Sequence, residues 1–579
     1  MRKMHLICNA HLDPVWLWRK AEAMGEAIST FTVAANFCEK YDGFVFNHNE
    51  SVLYEWIKEN DFELFERIKE LVKQKKWIIP GGWYVQPDVL MPCGESIIRQ
   101  IRVGNKFFEK HLGEVQKTAI GFDAFGHSRG LVQILKKCGY ENYVFLRPRE
   151  MKCEPFIWEG FDGSKVCAYK LYEWYNTPKG EALERVKAYN KDFGDRKINA
   201  LTWGIGNHGG GPSEKDLNDI NDYIDGCDDT EIVHSEFDSY FNELNKDGLN
   251  TKSESLVHCF VGCYTTMALV KQGHRRLESI LSLCEKMLCL SEIEYNEKDF
   301  EDAEKALLFI EFHDILPGTA IKKAEADSLN LIGYGIEIAE RLVWKSFIHM
   351  CKGQKKAVDG EIPIMIYNPH PYEIISDFEV EFQMAEQNHP DNGIYDIDIV
   401  DESGKTVSCQ LEQEDSAHGM DWRKKAVFYT KAAPMSITRL NCRLKLNKGF
   451  VKVKPYNETN NNIVLENKSL YIEIDKHTGK LNKYICDGIN VINSLDIRVY
   501  KDSADPWGME TDAFDEYIGV FKPSRSAIVT ENGDVRTKVQ TFWKYSKSSA
   551  VITYIFSKNS RHLDVNIKML SGDENIMYK

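Results

Sequence analysis

Three short stretches concentrate side chains able to bind a metal or attack an electrophile. The first, His11-Leu-Asp13-Pro-Val-Trp16-Leu-Trp18, follows the apolar run Met4 to Cys8, which reads as a first strand. Alternate side chains of an extended chain face one side, so His11 and Asp13 converge at its exit. An imidazole beside a carboxylate suits zinc. The second stretch, Gly121-Phe-Asp123-Ala-Phe-Gly126-His127-Ser128, sets Asp123 at the carboxyl end of another strand, where the active sites of α/β sheets and barrels collect. The third, Glu311-Phe-His313-Asp314-Ile-Leu-Pro317-Gly318-Thr319, ends a helix with a His-Asp pair and two helix breakers. Taken alone, that pair also fits an ordinary helix C-terminus. Together His11, Asp13, Asp123 and His313 offer two imidazoles and two carboxylates, enough for a zinc shell with Asp314 left over.

These residues need a scaffold that brings distant strand ends together. Residues 1–260 alternate short apolar runs with amphipathic stretches: Met4 to Cys8, Phe44 to Phe46, Trp77 to Ile79, Thr118 to Phe122, Tyr143 to Leu146, Val166 to Leu171 and Ala200 to Ile205. Such alternation predicts an α/β domain with a largely parallel sheet. Two helices have readable ends: Ser128 caps Arg129 to Cys138 before Gly139, and Pro92 to Lys110 carries Glu95 early with Gly113 beyond. Residues 261–355 carry apolar positions at helical spacing and predict a bundle. Residues 360–446 return to short alternating runs, a small β domain. Asn447 to Asn467 reads as a linker, and 465–579 as the opening strands of a β-sandwich. An unpaired sheet edge there is an aggregation risk, so the C-terminus is expected to be a truncated boundary.

Composition narrows the function classes. At 579 residues the chain exceeds the roughly 250–300 that one core supports, so several domains are expected. It has no run of about 18 apolar residues to span a bilayer. The net charge of −15, without a basic stripe, argues against nucleic acid. The first residues contain no adequate apolar export segment before His11 and Asp13. The 15 cysteines, an odd number without a repeated C-x-x-C, fit reduced thiols and a cytoplasmic location.

The three motifs resemble those of glycoside hydrolase family 38, the class II α-mannosidases, in the branch that includes mannosylglycerate hydrolase. Further matches are Gly81-Gly-Trp-Tyr-Val-Gln-Pro-Asp88, Pro92-Cys-Gly-Glu95-Ser-Ile-Ile-Arg99-Gln100, Gly204-Ile-Gly-Asn-His-Gly-Gly-Gly211-Pro212, Tyr264-Thr-Thr266 ahead of Lys271, and Asp505-Pro-Trp507-Gly508. The resemblance implies a seven-stranded β/α barrel, a three-helix bundle and β domains. It implies zinc held by His11, Asp13, Asp123 and His313, with Asp123 as nucleophile of a retaining mechanism. It further implies that Trp16 stacks under the sugar, Asp314 accepts from a hydroxyl and Arg147 orients the nucleophile. The axial O2 and equatorial O3 of mannose form a cis pair able to chelate the metal.

The chain departs from the family at the general acid. Where an aspartate is usual, the matching loop reads Gly206-Asn207-His208-Gly209. Asn207 cannot act as an acid, whereas His208, with an ordinary pKa of about 6.5, can. A carboxylate from another loop, such as Asp216 or Glu150, is the alternative. His127 reads as a partner of Asp123 rather than a ligand, and His5 and His48 as structural or supporting groups. The Gly209-Gly-Gly211 run lacks a following Lys-Ser/Thr and reads as a sugar-site loop. The expectation is a zinc-dependent retaining exo-α-mannosidase of mannose catabolism, acting on oligosaccharides or mannosylglycerate-like substrates and permitting a homo-oligomer. The alternatives are a zinc deacetylase or amidohydrolase on a related barrel, and an inactive sugar-binding remnant.

Overall fold

The computed structural model describes all residues except 1, 114–116, 149, 193–195, 207–208, 258–259, 417–419, 450–453, 460, 493–494, 504 and 510–512. The chain divides into two compact units. One comprises Met1–Cys284, Tyr295–Arg341 and Asp505–Asp512, and the other Glu285–Glu294, Leu342–Ala504 and Ala513–Lys579.

The first unit holds two five-stranded sheets. In one, β1 (Arg2–Asn9) pairs in parallel with β2 (Phe46–Asn47), which pairs with β3 (Trp77–Ile78). In the other, β4 (Thr118–Gly121) pairs with β5 (Asn142–Phe145), and the order continues through β6 (Pro155–Glu159) and β7 (Lys165–Lys170) as β4-β5-β7-β6. β8 (Ile198–Trp203) and β9 (Thr230–His234) return to the first sheet, both parallel to β1, and β10 (Thr251–Lys252) edges the second beside β6. β1 is buried from Met4 onward. A parallel strand covered on both faces reads as a continuous apolar run, which is why it stands out in the sequence.

The expected apolar runs fall on β1–β5, β7 and β8, divided between the two sheets. Among the described residues the two sheets share no ladder. β2 and β3 are two residues long, so their hydrogen bonding ends soon after it begins. β6 and β9 lie outside the expected set because each is only intermittently buried and lacks a sustained apolar run.

Helices fill the connections. Those predicted from caps are Gly94–His111 and Gly130–Lys137, the latter entered through Ser128, whose Oγ accepts from the Gly130 N–H at 3.1 Å. Three further helices, Ala268–Ser291, Glu297–Ile310 and Lys322–Met350, occupy the stretch read as a bundle. They approach closely at Gly335, where a Cβ would come within 3.2 Å of both Leu277 and Ala306. No described helix is long and apolar enough to cross a membrane.

The second unit is mostly antiparallel sheet. Its strands include Ile374–Asn388 against Asp421–Ala432, and a four-stranded sheet running from Lys522–Asn532 to Leu563–Leu570. The stretch read as a linker contains a strand, Asn462–Glu466, paired with Leu470–Asp475. Surrounding asparagines mask three consecutive apolar residues, of which Ile463 and Leu465 are buried in the sheet's core.

The helix Glu297–Ile310 leads directly into the His313 motif, and a buried ion pair docks it. Glu304 Oε1 receives Arg99 at 2.7 Å and also contacts Arg102, with Glu304 and Arg99 both 4% exposed at the side chain. Removing one member of such a pair strands the other in a dry site. Glu304→Ala is expected to cost about 3 kcal/mol of stability, read as a lowered denaturation midpoint. An unchanged midpoint would show that apolar packing alone docks this helix.

Candidate metal centre and active site

The site is assembled from strand exits. β1 delivers His11 and Asp13, β4 delivers Asp123, β5 delivers Arg147, and the segment after β7 delivers Tyr175. This is the carboxyl-terminal edge of parallel strands, where open loops can hold ligands without breaking the sheet. The loop after β8 lies close against the β1 exit. A Cβ on Gly204, whose φ is +117°, would sit 2.2 Å from the Asn9 carbonyl oxygen, so this position requires glycine.

His11, Asp13 and His313 form one buried group whose ligand atoms lie within 4.8 Å of one another. Asp13 Oδ1 is 2.9 Å from His11 Nε2 and 3.5 Å from His313 Nε2. Despite these distances, His11 Nε2, Asp13 Oδ1 and His313 Nε2 have no hydrogen-bond partner in acceptable geometry. A buried polar atom without a partner costs about 1–3 kcal/mol. Three such atoms crowded together fit a shared cation, and two imidazoles with a carboxylate are donors suited to zinc. His313 is prepared for this role: its Nδ1–H donates to the Gln86 carbonyl at 2.9 Å, leaving the Nε2 lone pair free.

The electrostatics agree. Burial pushes the His313 imidazole down, but Asp13, Asp314 and Asp123 outweigh it and raise its pKa to about 10. Burial would likewise raise Asp13, yet His11 and His313 hold its carboxyl below the usual range. The cluster therefore draws in positive charge, as protons or as a metal ion, and the two compete. Asp314 lies beside the group, with Oδ2 3.6 Å from His313 Nε2 and Oδ1 accepting from the Thr319 hydroxyl. Burial first, then neighbouring carboxylates, raise it to about 7.

Asp123 falls outside the three-residue group. Arg147 Nε donates to its Oδ1 at 2.8 Å, with a second guanidinium contact, and Tyr175 Oη donates to Oδ2 at 2.9 Å. Arg147 is 5% exposed and lies over the Phe260 ring at 4.6 Å, with Phe125 and Trp174 also in cation–π range. Trp16 is half-buried and meets Trp18 and Trp507 edge to face, at 5.6 and 6.5 Å between ring centroids.

Several expectations change. His127 does not bond Asp123: its Nε2 is 3.0 Å from the Arg147 carbonyl and its Nδ1 2.8 Å from Tyr143 Oη, so it supports the arginine's strand exit. Burial lowers its pKa to about 3 and keeps it neutral. Asp216 accepts from Gly180 N, Ala182 N and Ser213, which makes it a structural anchor for two loops rather than an acid. Glu150 is exposed. Asn207 and His208 lie outside the described residues. Tyr175 is a site residue absent from the sequence reading, and Gln86 enters that reading only within the Gly81–Asp88 motif, without a role of its own. For Tyr175 a signal existed, an aromatic hydroxyl just beyond the β7 run, in line with the other strand exits.

Residues 1–259 match the glycosyl hydrolases family 38 N-terminal domain, and residues 258–350 the alpha mannosidase middle domain. The stretch 1–259 belongs to glycosyl hydrolase family 38. Family relatives include alpha-mannosidase G of Dictyostelium discoideum, 29% identical over 356 residues, which cover 59% of this chain and 33% of that protein. Human alpha-mannosidase 2C1 is 26% identical over 341 residues, 56% of this chain and 33% of that protein. The match thus spans about a third of these relatives' length. An alpha-mannosidase from Enterococcus faecalis V583 shares the fold, with a TM-score of 0.81 at 16% identity, over 100% of this chain and 75% of the other.

The purified chain is expected to retain about one equivalent of divalent transition metal. His11→Ala and His313→Ala should each lose it, as measured by elemental analysis after dialysis. Full occupancy in both variants would remove the triad as the binding site.

Proposed function

We propose that the chain is the catalytic part of a zinc-dependent, retaining exo-α-mannosidase that releases terminal mannose from small mannosides, oligosaccharides or mannosylglycerate-like compounds in mannose catabolism. The observation that carries the reading is the convergence of three unpartnered ligand atoms beside a carboxylate already oriented by an arginine and a tyrosine. Family membership supports the same chemistry. The reading includes a β/α barrel over 1–260, a three-helix bundle over 261–355, a small β domain over 360–446 and a β-sandwich start over 465–579. It also includes a cytoplasmic setting, for which the odd number of cysteines without a repeated C-x-x-C is the support.

In this proposal His11, Asp13 and His313 hold zinc, with Asp123 as the fourth ligand. When bound, the ion would supply Lewis-acid contacts to adjacent sugar hydroxyls and favour the cis pair of mannose. Asp123 attacks the anomeric carbon and forms a glycosyl-enzyme ester, while an acid on the opposite face, about 5–5.5 Å away, protonates the leaving oxygen and later activates water. Arg147 and Tyr175 keep the Asp123 oxygens aimed before substrate arrives, so little reorganisation is needed in the transition state. Trp16 offers an apolar face to the sugar, and Asp314 accepts from a hydroxyl. His208 is assigned as the acid, since Asp216 is committed to loop bonding.

A 2-fluoro-mannosyl reagent that slows turnover should label Asp123 covalently, detected by peptide mass spectrometry, and Asp123→Asn should not be labelled. Turnover of mannosides without labelling would instead favour a hydrolase that activates water. His208→Ala should slow disaccharide hydrolysis far more than hydrolysis of an activated aryl mannoside, whose leaving group needs little proton donation. Equal effects on both would remove His208 from the acid role.

A further inference from the structure

The side chain of Arg185, on the helix Ala182–Asp192, is 10% exposed and directs its guanidinium at the backbone of a single loop. It donates to the Tyr172 carbonyl at 2.6 Å and also to the carbonyls of Trp174 and Asn176. Its Nε lies 4.0 Å from Glu173 Oε2. Between the first two of those carbonyls Glu173 takes a φ of +53°, a left-handed conformation that a residue with a Cβ adopts at a cost. The same loop touches the site in three places. Tyr175 Oη donates to Asp123 Oδ2 at 2.9 Å, and the Tyr175 ring lies 4.5 Å from the His11 ring between centroids. The Arg147 guanidinium stands 5.7 Å from the centre of the Trp174 ring. Asn176 packs so closely on Gly206 that a Cβ on that glycine would sit 3.0 Å from Asn176 Cβ.

We infer that Arg185 is a positioning residue for the nucleophile: by gathering three alternate carbonyls of residues 172–176 it fixes the loop that aims the Tyr175 hydroxyl at Asp123. This rests on the assignment of Asp123 as nucleophile. A guanidinium carries its N–H donors in a rigid planar fork, so it holds several acceptors at set angles, which the single ammonium of a lysine does not. The helix gives the fork a firm base, because Ala182, Val186 and Tyr189 on the same helix are buried in the core of the first sheet. Asn9 Nδ2 donates to the Tyr175 carbonyl at 3.0 Å and Thr202 Oγ1 to the Trp174 carbonyl at 3.0 Å, which tie the loop to β1 and β8. Arg185 spans the loop from 172 to 176 and so brackets the strained Glu173. With the fork removed, Glu173 is free to relax to negative φ, and the displacement reaches Tyr175 two residues on. Asp123 then loses the bond to Oδ2 while Arg147 keeps its bond to Oδ1. The expected defect is therefore that of a missing Tyr175 hydroxyl.

With the full chain in zinc-containing buffer and an aryl α-mannoside, Arg185→Met should lower kcat at least about tenfold while changing KM less than about threefold. Tyr175→Phe should do the same, and the double variant should fall within about threefold of Tyr175→Phe alone, since the arginine acts through a hydroxyl already removed. Amide exchange across residues 172–177 should quicken in Arg185→Met. Losses that multiply in the double variant, a wild-type kcat in Arg185→Met, or unchanged exchange would each overturn the inference. The melting temperature reports folding separately, and Arg185→Lys, which keeps the charge without the fork, replaces the Met variant if that one does not fold. A wild-type chain that turns over no mannoside would remove the proposed function itself, an outcome distinct from failure at Arg185, and amide exchange then decides whether the arginine holds the loop.

Discussion

The structure is organised around a buried place where imidazoles and a carboxylate crowd together with three ligand atoms left without a hydrogen bond. Asp13 is 2% exposed, and its Oδ1 lies 2.9 Å and 3.5 Å from two imidazole nitrogens without a hydrogen bond in acceptable geometry. Desolvating a carboxylate costs several kcal/mol unless a counter-charge compensates. Much of the surrounding architecture holds this unfavourable arrangement in place. Glycine at 204 lets the β8 loop lie against the β1 exit, and Glu311, bonded to His274 and Gln100, anchors the turn that carries His313. A site that is costly when empty and satisfied by a cation gains stability on binding.

A second consequence is the separation of tasks between neighbouring carboxylates. Asp13 faces imidazoles, Asp314 faces Thr319 and the edge of the triad, and Asp123 faces a guanidinium and a phenol. Arg147 is itself surrounded by aromatic rings and supported from behind by His127. Its planar donor fork suits a fixed carboxylate, which a lysine in the same place would not orient. Such preorganisation matters where charge develops on reaction, because the donors need not move.

Much of this was legible in the residues alone, for physical reasons. The period of two in a strand makes His11 and Asp13 neighbours in space, and a buried parallel strand announces its end by the close of an apolar run, which locates Asp123 and Arg147. The His313 motif is marked by breakers that must end a helix. What escaped had weaker local signatures. Tyr175 lies in an irregular segment past β7, where no periodicity fixes side-chain direction. Gln86 acts largely through backbone groups, which every residue possesses. For His127, proximity in sequence points to Asp123, whereas the ring reaches the carbonyl of Arg147. The strand Asn462–Glu466 was hidden by flanking asparagines, and the division of the parallel strands into two sheets depends on pairings too short to read.

The central claim is that one cation occupies the point shared by His11, Asp13 and His313. A crystal structure of the zinc-loaded chain, with anomalous differences collected on both sides of the zinc edge, tests it most directly. The account predicts a single strong peak about 2.0–2.2 Å from both imidazole Nε2 atoms and from a carboxylate oxygen of Asp13. A fully occupied zinc elsewhere, with those atoms bridged only by water, would contradict it.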